Sequence, residues 1–212
     1  MLDAAFDEAL LTAAFALAAR DGWHSVSVAA AAALADLPLD RARARFAGRD
    51  AILLRFGRLA DTAACDAAGA DGTPRDRLFD ALMRRFDVLQ VHREGVRALL
   101  AALPTNPALA LLLATTTRHS MGDILEAAGL GSTGLRGLLR TKGLMAVWLY
   151  ATRTWEADAS PDLSATMAAL DRALTQAERF GQWLDQGPRQ EDGPKPFPED
   201  PASPPAMDPV AA

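Results

Sequence analysis

The chain has 212 residues, half of them apolar, and a formal net charge of −5 at pH 7, a length that suits one medium domain or a small head on a larger body. The acidic balance excludes a cationic coat over the whole surface, and a lone cysteine, Cys65, excludes an internal disulfide and any multi-cysteine zinc site. No basic segment with an apolar run and cleavage site opens the chain, and no apolar run reaches the ~18–20 residues of a spanning helix, so the expected location is cytoplasmic.

Nearly every stretch carries a helical period and none alternates as a strand would. The expected fold class is therefore all-α. The first helix runs from about Asp3 to Arg20, with Phe6, Leu10, Ala13 and Leu17 on one face, and Gly22 suits its C-terminal cap. Ser27 is placed to cap a short helix over 28–35 through its side-chain oxygen. Asp36, Leu37 and Pro38 then turn the chain into a helix bearing Arg41, Arg43 and Arg45, and Asp36 is expected at the positive φ of that turn.

A long helix is expected from about Asp50 to Ala68, broken by GADG at 69–72. Thr73-Pro74 reads as a cap followed by a first-turn proline for a helix reaching about Gln90. A shorter helix covers about Arg93 to Leu103, and Asn106-Pro107 repeats the cap-and-proline device for one reaching Ala128. After the loop 129–134, two helices are expected over about Leu135 to Asp158 and from Ser160-Pro161 to about Leu184. From Asp185 onward, eight of the thirteen prolines and a net charge of −4 fall in 28 residues, a composition that reads as a disordered tail. The short N-terminal helices are expected to form a compact head (1–48) and the later ones a bundle (49–184), followed by an acidic, proline-rich tail (185–212).

Charge is uneven along the chain. Residues 41–58 hold six arginines against Asp50, whereas residues 1–40 hold six acids and Arg20. At ~100° per residue, Arg41 and Arg45 share a helix face while Arg43 points away. In a helix lying in the major groove, Arg41 and Arg45 are expected at base edges or phosphate and Arg43 at the flanking backbone. The plain alternative is a solvated basic face, since arginine outnumbers lysine twenty to two throughout the chain.

The residues from about 3 to 56 resemble the TetR family of bacterial regulators. GWHSVSV (22–28) sits where that family has Gly-aromatic followed by Thr/Ser-Val, and ALADLP (33–38) occupies its helix-turn. Phe46 matches the phenylalanine that ends the recognition helix, and Arg49 a phosphate-contacting lysine that opens the next helix. Three positions depart from the pattern. The turn glycine is Asp36, the recognition-helix tyrosine is Arg43, and the second helix is five consecutive alanines at 29–33. The resemblance implies a TetR-like all-α fold, with 1–48 as a helix-turn-helix DNA-binding domain and 49–184 as a ligand-binding and dimerisation domain, and operator-DNA contacts from Ser27, Arg41, Arg43, Arg45 and Arg49. A second resemblance, carried by NPALALLL, MGDILEAAG and above all DASPDLSATMAALDRAL (158–174), is to the COQ9 family of ubiquinone-biosynthesis proteins. It implies the same fold with a lipid, in place of DNA, as the partner.

Trp148 and Trp155 lie seven apart on the penultimate helix, on one face with Thr152, and with Met121 and Met145 they are the candidate lining of a cavity for an apolar small molecule or an isoprenoid lipid. The same side chains would equally fill a core. On the last helix, Met167, Leu170, Leu174 and Ala177 form an apolar stripe that needs a partner, either the penultimate helix or a second subunit of a homodimer. Phe180, Trp183 and Leu184 near its end suit a peripheral membrane contact. His24, His92 and His119 fall on separate elements with no metal-ligand spacing, and no nucleophile–base signature is present. No metal, no cofactor and no catalysis are expected.

Overall fold

The computed structural model describes residues 2–69 and 72–186, the side chains of Leu2 and of 180–186 excepted. Residues 187–212 of the expected tail, and the side chains of Phe180, Trp183 and Leu184 expected at a membrane, lie outside the described residues or side chains, whereas Asp185 and Gln186 fall in the last helix. Every regular element described is helical.

The N-terminal cluster consists of α1 (Leu2–Asp21), a 3₁₀ turn (Trp23–Ser25), α2 (Val28–Leu34) and α3 (Leu39–Arg45). Its joints follow from local chemistry. Gly22, at φ 86°, takes the left-handed conformation that ends α1 and donates its N–H to the carbonyl of Ala18. Ser27 Oγ accepts the N–H of Ala30 and so caps α2. Asp36 occupies the left-handed region (φ 52°), as the turn between α2 and α3 requires. The alanines of α2 serve packing, since Ala31 and Ala32 are buried and let α2 lie close against α1.

The body comprises α4 (Arg49–Ala68), α5 (Pro74–Val91), α6 (Arg93–Ala102), α7 (Pro107–Ala127), α8 (Gly134–Ala157) and α9 (Ser164–Gln186). Thr73 and Asp76 form a reciprocal capping box ahead of Pro74, and Asn106 caps α7 by accepting the N–H of Leu109. Helix α4 packs along α5 and α7, α8 along α7 and α9, and α1 lies across α6. One continuous apolar core, from Phe6 to Leu174, joins cluster and body.

The start of the last helix departs from expectation. The helix does not start at Pro161: Pro161 lies in a turn, Leu163 takes φ 55°, and α9 begins at Ser164, whose N–H donates to Ser160 Oγ at 3.0 Å. Buried Asp158 organises this corner. One carboxylate oxygen accepts the N–H and hydroxyl of Ser160, and the other accepts the N–H (2.8 Å) and hydroxyl (2.7 Å) of Thr166. Burial alone would raise the carboxyl of Asp158, but these four hydrogen bonds outweigh it and hold the group well below the ordinary carboxylate range.

The stripe on α9 is spent inside the protomer. Leu170 is fully buried and Leu174 is 4% exposed, both within the common core against which α8 and α5 pack, while Met167 and Ala177 are half-buried. The expectation that Leu170 and Leu174 face a second subunit is thereby corrected. Exposed apolar side chains sit instead on α8: Leu135, Leu138, Leu139, Leu149 and Tyr150.

Candidate functional site

Two surfaces carry the candidate chemistry. The first is the outer face of the N-terminal cluster, where the arginines divide in a way the helical wheel alone does not settle. Arg41 and Arg45 do share a face, but that face meets α1. Arg41 Nη2 donates to Asp3 (2.8 Å), and its guanidinium lies 4.4 Å from the ring centroid of Phe6. Arg45 grips Asp7 through Nε (2.6 Å) and Nη2 (2.9 Å), and Arg55 Nε reaches the same carboxylate (3.1 Å). Asp7 is only 4% exposed. Its hydrogen bond to Arg45 holds the carboxyl below its ordinary value against the opposing effect of burial. Arg41 and Arg45 remain exposed, but both are ion-paired to acids of α1, Arg41 to Asp3 and Arg45 to Asp3 and Asp7, and this offsets part of the positive charge of the 41–58 segment.

Arg43 is exposed and Arg49 half-buried. Together with Ser27, Val26, Val28, Ala29, Phe46, Ala47 and Gly48 they line one surface concavity. Among the described residues neither of these two arginines has an ion-pair partner. Ser27 spends its hydroxyl oxygen on the α2 cap and keeps its O–H donor.

The second site is a cavity of about 460 Å³ in the body, walled by α4, α5, α6, α7 and α8, within the size range of small-molecule sites. Its lining is mainly aliphatic, with Leu53, Leu89, Val96, Leu99 and Leu113 among its members. Of the five predicted lining residues, Met145, Trp148 and Thr152 are in the wall. Met121 and Trp155 are not. Met121 is sealed in the core. Trp155 anchors the end of α8 by donating Nε1–H to Gln90 (2.9 Å), under the guanidinium of Arg93 (5.0 Å).

A polar cluster in this wall was not anticipated. Arg85 of α5 is 7% exposed and donates through Nη1 to Asp61 of α4, whose other oxygen accepts the hydroxyl of Ser120 of α7 at 2.8 Å. The guanidinium carbon of Arg85 lies 5.0 Å from the Trp148 ring centroid, and Trp148 stacks on Phe86 at 4.6 Å. Burial pushes the Arg85 guanidinium down to about 10, which still leaves it protonated at neutral pH. Its Nε–H is buried without an acceptor. Arg85 was legible in principle: it occupies the apolar face of α5 set by Leu78, Leu82, Phe86 and Leu89, where a charge needs a reason.

Among the described residues no cluster of His, Cys, Asp and Glu could hold a metal ion, and no single helix is long and apolar enough to cross a membrane.

No protein-family model matches the chain, and neither does any curated protein. Among solved structures, a TetR transcriptional regulator from Nitrosomonas europaea superposes with a TM-score of 0.69 at 23% identity, over 82% of this chain and 98% of that one. A candidate transcriptional regulator from Streptomyces coelicolor A3(2) gives a TM-score of 0.49 at 21% identity, covering 79% and 97%. The N-terminal helix cluster with its C-terminal bundle is thus the TetR-like all-α fold.

Proposed function

We propose that this chain is a transcriptional regulator that binds operator DNA through Arg43, Arg49 and Ser27 and senses an apolar small molecule in its body cavity. The observation that carries this reading is the path of α4. The helix opens at Arg49 on the outer face of the cluster, and one turn later Leu53 is already in the cavity wall, followed by Phe56 and Asp61. A ligand that displaces the cavity section of α4 therefore displaces a phosphate-reaching arginine with it. Such coupling needs two arrangements with different affinities for ligand and DNA.

In a homodimer the heads must match half-sites about one turn of DNA apart, so a small tilt of α4 alters their spacing. The exposed apolar stripe of α8 is the face we assign to that dimer.

A second reading is a lipid-binding protein of the ubiquinone-biosynthesis type, peripheral to a membrane and loaded with an isoprenoid or phospholipid. The pairing of Arg41 with Asp3 and of Arg45 with Asp7 favours it, because it lowers the net positive charge of this face.

Pull-down of genomic fragments at ~150 mM salt, run beside mass spectrometry of an organic extract, separates the two. The regulator reading predicts fragments sharing a pseudo-palindrome, a steep salt dependence, and weaker binding to all sequences with Arg43→Ala or Arg49→Ala. Arg41→Ala should change little. Fragments without common sequence, together with a stoichiometric lipid whose load falls with Trp148→Ala, would overturn it in favour of the second.

A further inference from the structure

We infer that the body cavity takes an uncharged, mostly apolar molecule bearing one acceptor oxygen, such as a ketone, ester or lactone carbonyl, and that Arg85 is the residue that holds that oxygen. The inference rests on the cavity being a ligand site, as proposed above, and adds the chemical class of the ligand.

The argument begins with unsatisfied donors. A guanidinium has five N–H groups and no acceptor capacity. Arg85 spends one on Asp61, and its Nε–H has no acceptor among the described residues. That Nε is also closed off from the cavity, so the donors a ligand oxygen can meet are the Nη N–H groups not used by Asp61, where Arg85 forms part of the cavity wall. The guanidinium carbon lies 5.0 Å from the Trp148 ring centroid, and an acceptor must approach near the guanidinium plane, where the N–H bonds point. The rest of the wall is aliphatic, which fits a hydrocarbon body around a single polar atom.

Charge decides between acceptors. Arg85 and Asp61 cancel, and both oxygens of Asp61 are occupied, one by Arg85 and one by Ser120. The other charged lining residues, Arg58 and Asp123, are exposed at the rim and also cancel. A carboxylate ligand would thus bring a third charge into the apolar interior beside an already neutral pair, with no counter-charge to compensate its desolvation. A carbonyl brings an acceptor and no charge.

The test is calorimetric titration of the full chain, without DNA, with 2-decanone and with decanoate at pH 7.5. The ketone should bind at least tenfold tighter than the carboxylate. Arg85→Met alone strands Asp61, so the informative variant is Asp61→Leu with Arg85→Met, which replaces the pair by apolar groups and leaves Ser120 bonded to the carbonyl of Thr116. This double variant, checked as folded by circular dichroism, should lose at least tenfold for the ketone. Decanoate binding as tightly as the ketone, a folded double variant with unchanged ketone affinity, or no binding of either probe would each overturn the inference. A protein that takes the ketone but pulls down no common DNA sequence sinks the regulator reading alone.

Discussion

A Cβ on Gly95 would stand 2.4 Å from the carbonyl oxygen of Phe15 and 2.9 Å from its Cβ. Helices α1 and α6 therefore meet backbone against backbone, and only glycine permits it. The contact joins the cluster to the helix whose Val96, Leu99 and Leu100 line the cavity. Beside it, His92 stacks on Phe15 at 5.2 Å and meets Phe56 edge-on at 5.8 Å.

Gly95→Ala sets two effects against each other. Alanine is the better helix former by about 1 kcal/mol, but forcing a methyl group against backbone costs about 1–3 kcal/mol. The steric cost wins because the obstructing atom is a carbonyl and not a pliable side-chain end. Thermal unfolding should show net destabilisation. Gly143→Ala, where an added Cβ meets nothing within 4 Å, should instead stabilise by roughly 0.5–1 kcal/mol. Equal behaviour of the two variants would refute the close approach.

The ion pairs of Asp7 predict a pH dependence. Its folded-state pKa lies below the ordinary aspartate value, so its stabilisation is present above that value and disappears as pH falls through the folded one. Asp7→Ala should cost about 1.5–3 kcal/mol at pH 7, the range for hydrogen bonds to charged groups. Denaturant titrations should find the gap to wild type closing below about pH 4. The same variant frees Arg45 and Arg55, so its sequence-independent DNA affinity at low salt should rise. A gap that persists in acid would show that lost packing, and not charge, is responsible.

The corner at Asp158 gives a third test. Asp158→Ala strands the buried N–H and hydroxyl of Thr166, and a lost cap with unmet donors should cost about 2 kcal/mol or more. Asp158→Asn keeps one acceptor and should lose less. Because the folded-state carboxyl titrates far below the ordinary range, wild type should hold this contribution until strongly acid pH. If both variants match wild type in thermal midpoint, the corner does not organise α9.

What the sequence revealed and what it hid divide along the range of the interactions. Thr73-Pro74, Asn106-Pro107, Gly22 and Ser27 act within a few residues of themselves, and their joints fall where expected. Asp158 acts across eight residues to Thr166, and α9 therefore starts at Ser164, later than the Ser160-Pro161 pair suggests, although Ser160 Oγ does accept the N–H of Ser164. The pairing of Arg45 with Asp7 spans 38 residues and that of Arg85 with Asp61 spans 24. A helical wheel shows that Arg41 and Arg45 share a side but not which helix lies on that side. The cavity is less legible still. Trp148 and Trp155 share a face, yet one is in the wall and the other is sealed behind Gln90.

The placement of Trp148 has a practical consequence. Its indole is stacked on Phe86, lies within 5.0 Å of a buried cation, and forms part of the cavity wall. Ultraviolet emission from such a ring depends on the adjacent charge and on contact with water, and both change when the space beside it is filled. Trp23 and Trp155, 2% and 0% exposed and absent from the wall, contribute a steady background, and Trp183→Phe removes the fourth indole of the chain. The chain thus carries its own optical gauge of occupancy, with no dye and no label to perturb the space being measured.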